Sequence, residues 1–211
     1  MRELAFIISV WLCASLANAG DYWPMQLGTR YHYVSSTGAV LVVEWVAIGG
    51  GVYSEVHQYG SDGSLHSTRR DHFIADASGD VLLQDWSYPS SPWPGSYSEC
   101  APPIKFVDSP LEIGKSWYTT GRVLRAVGPS PTYLQLYGID RSETVTVPYG
   151  SFETLVMTET DGFGTTQRSG VYYLHRELGP VILPGGFELA AIEIVVGLEY
   201  TTWGAVKSLF R

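Results

Sequence analysis

The stretch Tyr59-Gly60-Ser61-Asp62-Gly63-Ser64-Leu65 brings the most reactive side-chain types together at a spacing that could do chemistry. Asp62-Gly63 suits a two-residue type I′ turn, because both central positions of that turn need positive φ. Such a turn pairs Ser61 with Ser64, Tyr59 with His66, His57 with Thr68, Glu55 with Arg70 and Tyr53 with His72. The two-residue period of a strand then gathers Tyr53, Glu55, His57, Tyr59, His66 and Arg70 on one polar, aromatic face. Glu55 and Arg70 form a cross-strand ion pair of roughly 0.2–1 kcal/mol, which supports the hairpin rather than a function. His57 and His66 become diagonal neighbours about 7–8 Å apart, within reach of one metal. His72 is too far along its strand to complete the set, so no metal and no cofactor is assigned.

Aromatic side chains are the second resource. Trp86, Tyr88, Trp93 and Tyr97 cluster in a loop rich in Ser and Pro, where stacked rings could hold a sugar or an apolar segment of a partner. Catalytic templates are missing: the chain has no Gly-x-Ser-x-Gly, no His-Glu-x-x-His and no phosphate-binding glycine loop. Asp76 to Asp80 surrounds a Gly turn but lacks the spacing and closing Glu of a calcium loop. Glu153, Glu159, Asp161 and Glu177 would serve as a glycosidase-like acid pair only if the fold sets two of them about 5–10 Å apart. No catalytic residue is assigned, and the chain reads more readily as a binder than as an enzyme.

These residues must be positioned by strands. From Thr144 to Leu183, Val145 and Val147 alternate with threonines, Pro148 and Gly150 turn the chain, and Leu155 and Met157 begin a second alternation. Asp161-Gly162 and Gly164 mark a hairpin before Gly170 to His175. The same reading places strands at 30–35, 39–48, 52–59, 65–75, 81–86, 104–107, 116–127, 132–147, 151–160, 165–175, 181–183 and 187–203. No window shows convincing helical periodicity after the first 19 residues. The expected class is all-β: an antiparallel meander forming a curved sheet, half-barrel or sandwich. The strand 39–48 is apolar on both faces except for Glu44, which fits a buried strand better than a wall facing lipid.

A weak repeat suggests two related halves. Pro24-Met25-Gln26-Leu27-Gly28-Thr29-Arg30-Tyr31 matches Pro110-Leu111-Glu112-Ile113-Gly114-Lys115-Ser116-Trp117. In the same order, Phe73-Ile74 with Gly79 and Val81 matches Tyr173-Leu174 with Gly179 and Val181. The irregular segment 87–103 would join an N-terminal half at 20–103 to a C-terminal half at 104–211.

Residues 1–19 read as a signal peptide: Arg2, an apolar run from Leu4 to Leu16, then Ala17-Asn18-Ala19 as a cleavage site. The expected location is secreted or periplasmic, with no transmembrane helix in the remainder. A net charge of −8 argues against nucleic acid and against adsorption on anionic lipid. Cys100 is the only cysteine beyond the signal peptide, so no internal disulfide can form.

Three segments carry a resemblance. Tyr22 to Tyr33 is similar to the opening of many uncharacterised bacterial secreted proteins and lipoproteins. Val145-Thr146-Val147-Pro148-Tyr149-Gly150-Ser151-Phe152-Glu153-Thr154 resembles their mid-chain signature, and Tyr172-Tyr173-Leu174 with Gly179-Pro180-Val181 resembles the closing one. The resemblance implies an antiparallel meander like the half-barrel of lipoprotein carriers (LolA-like), and no catalytic residues. This chain departs from the lipoprotein members in lacking a lipidation cysteine. The function expected is non-enzymatic binding of an apolar small molecule or a protein partner on a concave sheet. The alternatives are carbohydrate or cell-surface recognition through Trp86, Tyr88, Trp93 and Tyr97, or a carboxylate hydrolase.

Overall fold

The computed structural model describes residues 22–89, 97–125 and 127–195. Every regular element in them is a strand. The first six are β1 (Thr29–Val34), β2 (Val40–Ile48), β3 (Gly51–Tyr59), β4 (Leu65–Ala75), β5 (Val81–Ser87) and β6 (Tyr97–Val107). The second six are β7 (Ser116–Arg125), β8 (Thr132–Val147), β9 (Gly150–Phe163), β10 (Thr166–His175), β11 (Gly179–Leu183) and β12 (Phe187–Ile194). Each pairs antiparallel with the next in sequence, and β1 also pairs with β12, so the meander closes into a twelve-strand barrel. A half-barrel would leave two edge strands with unpaired backbone groups; closure removes both.

Three details differ from the sequence expectation. β6 begins at Tyr97, inside the segment read as an irregular linker. Its register with β5 jumps from Asp85↔Glu99 to Leu83↔Ile104, so Pro102 and Pro103 sit in a bulge where no ladder donor is needed. Asp161 and Gly162 lie within β9, and the turn falls at Gly164-Thr165. The β3–β4 hairpin keeps the expected pairs from Tyr53↔His72 to His57↔Thr68, but Tyr59 pairs with Leu65 rather than His66. Only Gly63 takes a positive φ there, with Gly63 N donating to Gly60 O and Gly60 N donating to Ser64 O. That geometry is a longer turn closed by a glycine bulge, not the two-residue turn, and it offsets His66 from the row of His57.

The barrel has two dissimilar ends. At one end the segment before β1 folds beneath the strands, and Trp23 lies edge-on against Phe106, ring centroids 4.6 Å apart. Phe73 and Tyr172 approach the same indole at 6.1 Å. Gly179, with φ +81°, makes this possible: a Cβ there would come within 3.0 Å of the Pro24 ring. Met25, Val81, Val107, Leu174, Val181 and Leu189 complete a nearly solvent-free floor.

The two repeated segments occupy equivalent places in the ring. Met25 and Leu111 are both buried, and Gly28 and Gly114 both take positive φ. Thr29 N donates to Gln26 O just as Lys115 N donates to Glu112 O. Gly28 N donates to Trp45 O on β2, and Gly114 N to Ile139 O on β8. β1 and β7 stand six strands apart in a ring of twelve, as do β4–β5 and β10–β11, which carry the second repeat. Position 103/104 lies within β6.

Candidate functional site

The lumen above the floor is a cavity of about 1140 Å³. That is slightly larger than the roughly 300–1,000 Å³ of ordinary small-molecule sites. At the far end of the barrel its lining includes Tyr88, Arg125, Val127, Thr165 and Arg168, all exposed. Water therefore reaches the lumen from that end. Arg69 points into it and keeps 39% of its side-chain exposure.

Strand alternation decides which side chains line the cavity. On β2, Leu41, Val43 and Trp45 face inward, while Val42, Glu44 and Val46 face out. The strand is thus apolar on both faces, and the outward Val42 is buried as well as the inward Trp45, while only Ala47 and Ile48 at its end are exposed. On β9, Glu159, Asp161 and Phe163 face inward, opposite Tyr137, Gln135 and Tyr133 of β8.

Two hydrogen-bonded clusters, each holding a carboxylate, stand inside, among other polar lining residues that include Ser54, Gln58 and Ser98. On β4, Arg69 Nε donates to Asp71 Oδ1 at 2.6 Å, and the guanidinium lies over the Trp86 ring at 5.5 Å. Burial raises the Asp71 carboxyl above its ordinary value, with Arg69 opposing the shift. On the facing wall, Tyr137 OH donates to Glu159 Oε1 at 3.1 Å and Tyr172 OH donates to Glu159 Oε2 at 2.9 Å. Burial raises the Glu159 carboxyl too, although both phenols favour its charged form. Asp161 Oδ1 is buried with no hydrogen-bond partner among the described residues. Such an atom calls for a physical explanation, because an unpaired buried acceptor costs about 1–3 kcal/mol.

Of the residues singled out from sequence, Trp86 and Tyr88 line this cavity. Tyr97 is exposed and absent from the lining, and Trp93 lies outside the described residues. The hairpin set is on the outer wall instead. Glu55 is paired there with Arg70 and lies 3.7 Å from His57 Nε2, and Tyr53 stacks on His72 at 4.3 Å. Contact with the His57 ring, then with the Arg70 guanidinium, holds the Glu55 carboxyl down at about 2 against the opposing effect of burial. His57 also shares a hydrogen bond with Thr68, and His66 is exposed. Among the described residues no three His, Cys, Asp or Glu side chains are grouped to hold a metal. Cys100 is buried, and desolvation pushes its thiol up to about 12.

Of the four acids, Glu159 and Asp161 line the lumen, whereas Glu153 and Glu177 are exposed near turns at the floor end. Glu159 and Asp161 are two residues apart on one strand, side by side rather than flanking a bond. The residues that sequence reasoning missed are Arg69, Asp71, Gln135, Tyr137 and Tyr172. Alternation marks each as sharing a face with apolar neighbours, but only closure of the ring shows that these faces meet.

Outward-facing ion pairs run along β1 to β5: Arg30 with Glu44 at 2.7 Å, Glu55 with Arg70, and His72 with Asp85 at 2.8 Å. Charged groups at mid-strand would be costly against lipid tails. No helix among the described residues is long and apolar enough to cross a membrane. No family model matches the chain, and no match was found among curated proteins or solved structures.

Proposed function

We propose that the protein is an exported binding protein that holds a small amphiphilic molecule inside its barrel. The observation that carries this reading is the solvent-reached cavity of about 1140 Å³, floored by Trp23 and walled by aromatic and aliphatic side chains. Apolar surface that stays in contact with water inside a fold is a standing driving force for ligand entry, about 25 cal/mol per Å² covered. The signal-like sequence of residues 1–19 supports export. The concave sheet expected from sequence is taken here as the inner face of the barrel, and the polar groups in the lumen extend the ligand from apolar to amphiphilic.

The test is titration of the protein with N-phenyl-1-naphthylamine, a dye that fluoresces when it leaves water. One dye per barrel should bind. Val56→Trp, which adds an indole to the cavity wall, should weaken binding at least tenfold while the circular-dichroism spectrum is unchanged. Absence of dye binding, or binding untouched by Val56→Trp in a folded barrel, would overturn the reading.

Carbohydrate recognition is the second reading, favoured by Trp86 and Tyr88 on the lining beside Arg69 and Asp71. Rings beside planar polar groups suit a sugar's apolar face and hydroxyl edge. Soluble oligosaccharides that displace the dye would support it; a full panel without displacement would remove it.

A further inference from the structure

Polar side chains occur on all sides of the lumen, Ser54 and Gln58 of β3 as well as Gln135 of β8, so no one wall is set apart. The charged groups, by contrast, are ordered along the axis. Around Trp23 at the floor the lining is aromatic and uncharged: Phe73, Phe106 and Tyr172. The acids Asp71, Glu159 and Asp161 come next, each buried or half-buried. The arginines stand toward the open end of their strands: Arg125 closes β7, Arg168 is third in β10, and Arg69 precedes Asp71 on β4. Arg69 is held by Asp71. Arg125 and Arg168 are the exposed charged residues of the lining, and neither makes an ion pair among the described residues. Asp161 is the cross-strand neighbour of Arg168, yet its Oδ1 is buried without a partner, so the acid sits deeper than the guanidinium.

Resting on the cavity reading above, we propose that the ligand is an anionic amphiphile that enters tail first and leaves its oxyanion head at the mouth, on Arg125 and Arg168. A guanidinium presents a planar fork of donors that matches a carboxylate, sulfate or phosphate, and an unpaired one at a pocket rim is ready to take it. The acids deeper in oppose the reverse orientation, because an anionic head beside Glu159 and Asp161 would meet like charge away from bulk water. Those acids still let a hydrocarbon tail pass: Glu159 engages Tyr137 and Tyr172, and Asp71 engages Arg69. The tail then covers the rings at the floor, where burial of apolar surface is most favourable. The mouth also runs against the net charge of the whole chain, −8, so the two arginines are a local positive field rather than part of a generally basic surface.

The test displaces the dye with three amphiphiles of one tail length, each below its micelle threshold: dodecanoate, 1-dodecanol and dodecyltrimethylammonium. Nonspecific partitioning ranks the neutral alcohol above the anion. The proposal requires the reverse, with dodecanoate about tenfold tighter than dodecanol, the usual effect of one charge-assisted contact, and the ammonium weakest. Arg125→Gln combined with Arg168→Gln should shrink the dodecanoate-to-dodecanol ratio to below about threefold. Arg122→Gln combined with Arg141→Gln removes two exposed cations that are absent from the lining and should keep the ratio. Each ratio is taken within one protein, so a change in dye affinity cancels, and circular dichroism shows that both double variants are folded. Dodecanoate no tighter than dodecanol, no amphiphile displacing the dye, a ratio that survives loss of Arg125 and Arg168, or one lost equally in the outer-wall variant overturns this inference alone. Failure of the dye to bind overturns the cavity reading itself.

Discussion

At the scale of single residues, the same carboxylate chemistry has opposite consequences on the two sides of the wall. Glu55 on the outer face is held down at about 2 by the His57 ring and the Arg70 guanidinium, whereas burial inside raises Glu159 and Asp71. The folded-state value of Glu55 lies below its unfolded value, so its contribution is present above about pH 4.5 and is lost as pH falls toward 2. With solvent screening of a partly exposed pair, that contribution is on the order of 1–2 kcal/mol. Glu55→Gln should lower stability at pH 7 by about that amount and flatten the loss between pH 4.5 and 2, read by urea unfolding across pH. An unchanged acid limb would contradict the assignment. Glu55 and Arg70 were legible as partners from sequence because a strand's period fixes cross-strand neighbours. The turn beside them was not, since one glycine bulge moves His66 out of register.

At the scale of elements, glycines with left-handed backbone do two different jobs. Gly63 closes the β3–β4 turn with φ +79° and has open space around it, while Gly179 at +81° lies against Pro24. Gly63→Ala should therefore cost about 1–2 kcal/mol, the left-handed strain alone. Gly179→Ala adds a steric clash with the segment that carries Trp23, and should cost clearly more, about 3 kcal/mol in all. Equal costs by chemical denaturation would show that the Tyr22–Gln26 segment is not packed as a floor. The strands themselves were readable: β8 (Thr132–Val147) and β4 (Leu65–Ala75) coincide with the alternation of their residues. β6 was not, because its prolines mimic a linker and their tolerance depends on a bulge against β5 that no local pattern encodes.

At the scale of the whole molecule, closure is the property that creates the site, and closure is what one sequence conceals. Alternation places Val43 and Glu159 on inner faces equally well in a sandwich, an open sheet or a barrel. The β1–β12 pairing converts those faces into facing walls of one lumen. The repeat at Gly28 and Gly114 hinted at two equivalent six-strand halves, yet carried no information on whether they join edge to edge. Trp86 and Tyr88 were picked for their aromatic character and do line the lumen; the outer hairpin set was picked for reactivity and is spent on ion pairs and stacking. The most direct measurement is anomalous diffraction from crystals of the protein soaked in 6-bromo-2-naphthol. The account predicts a bromine peak inside the barrel, against Val43, Trp45 and Val56; a peak confined to the outer wall, or none at all, would contradict it.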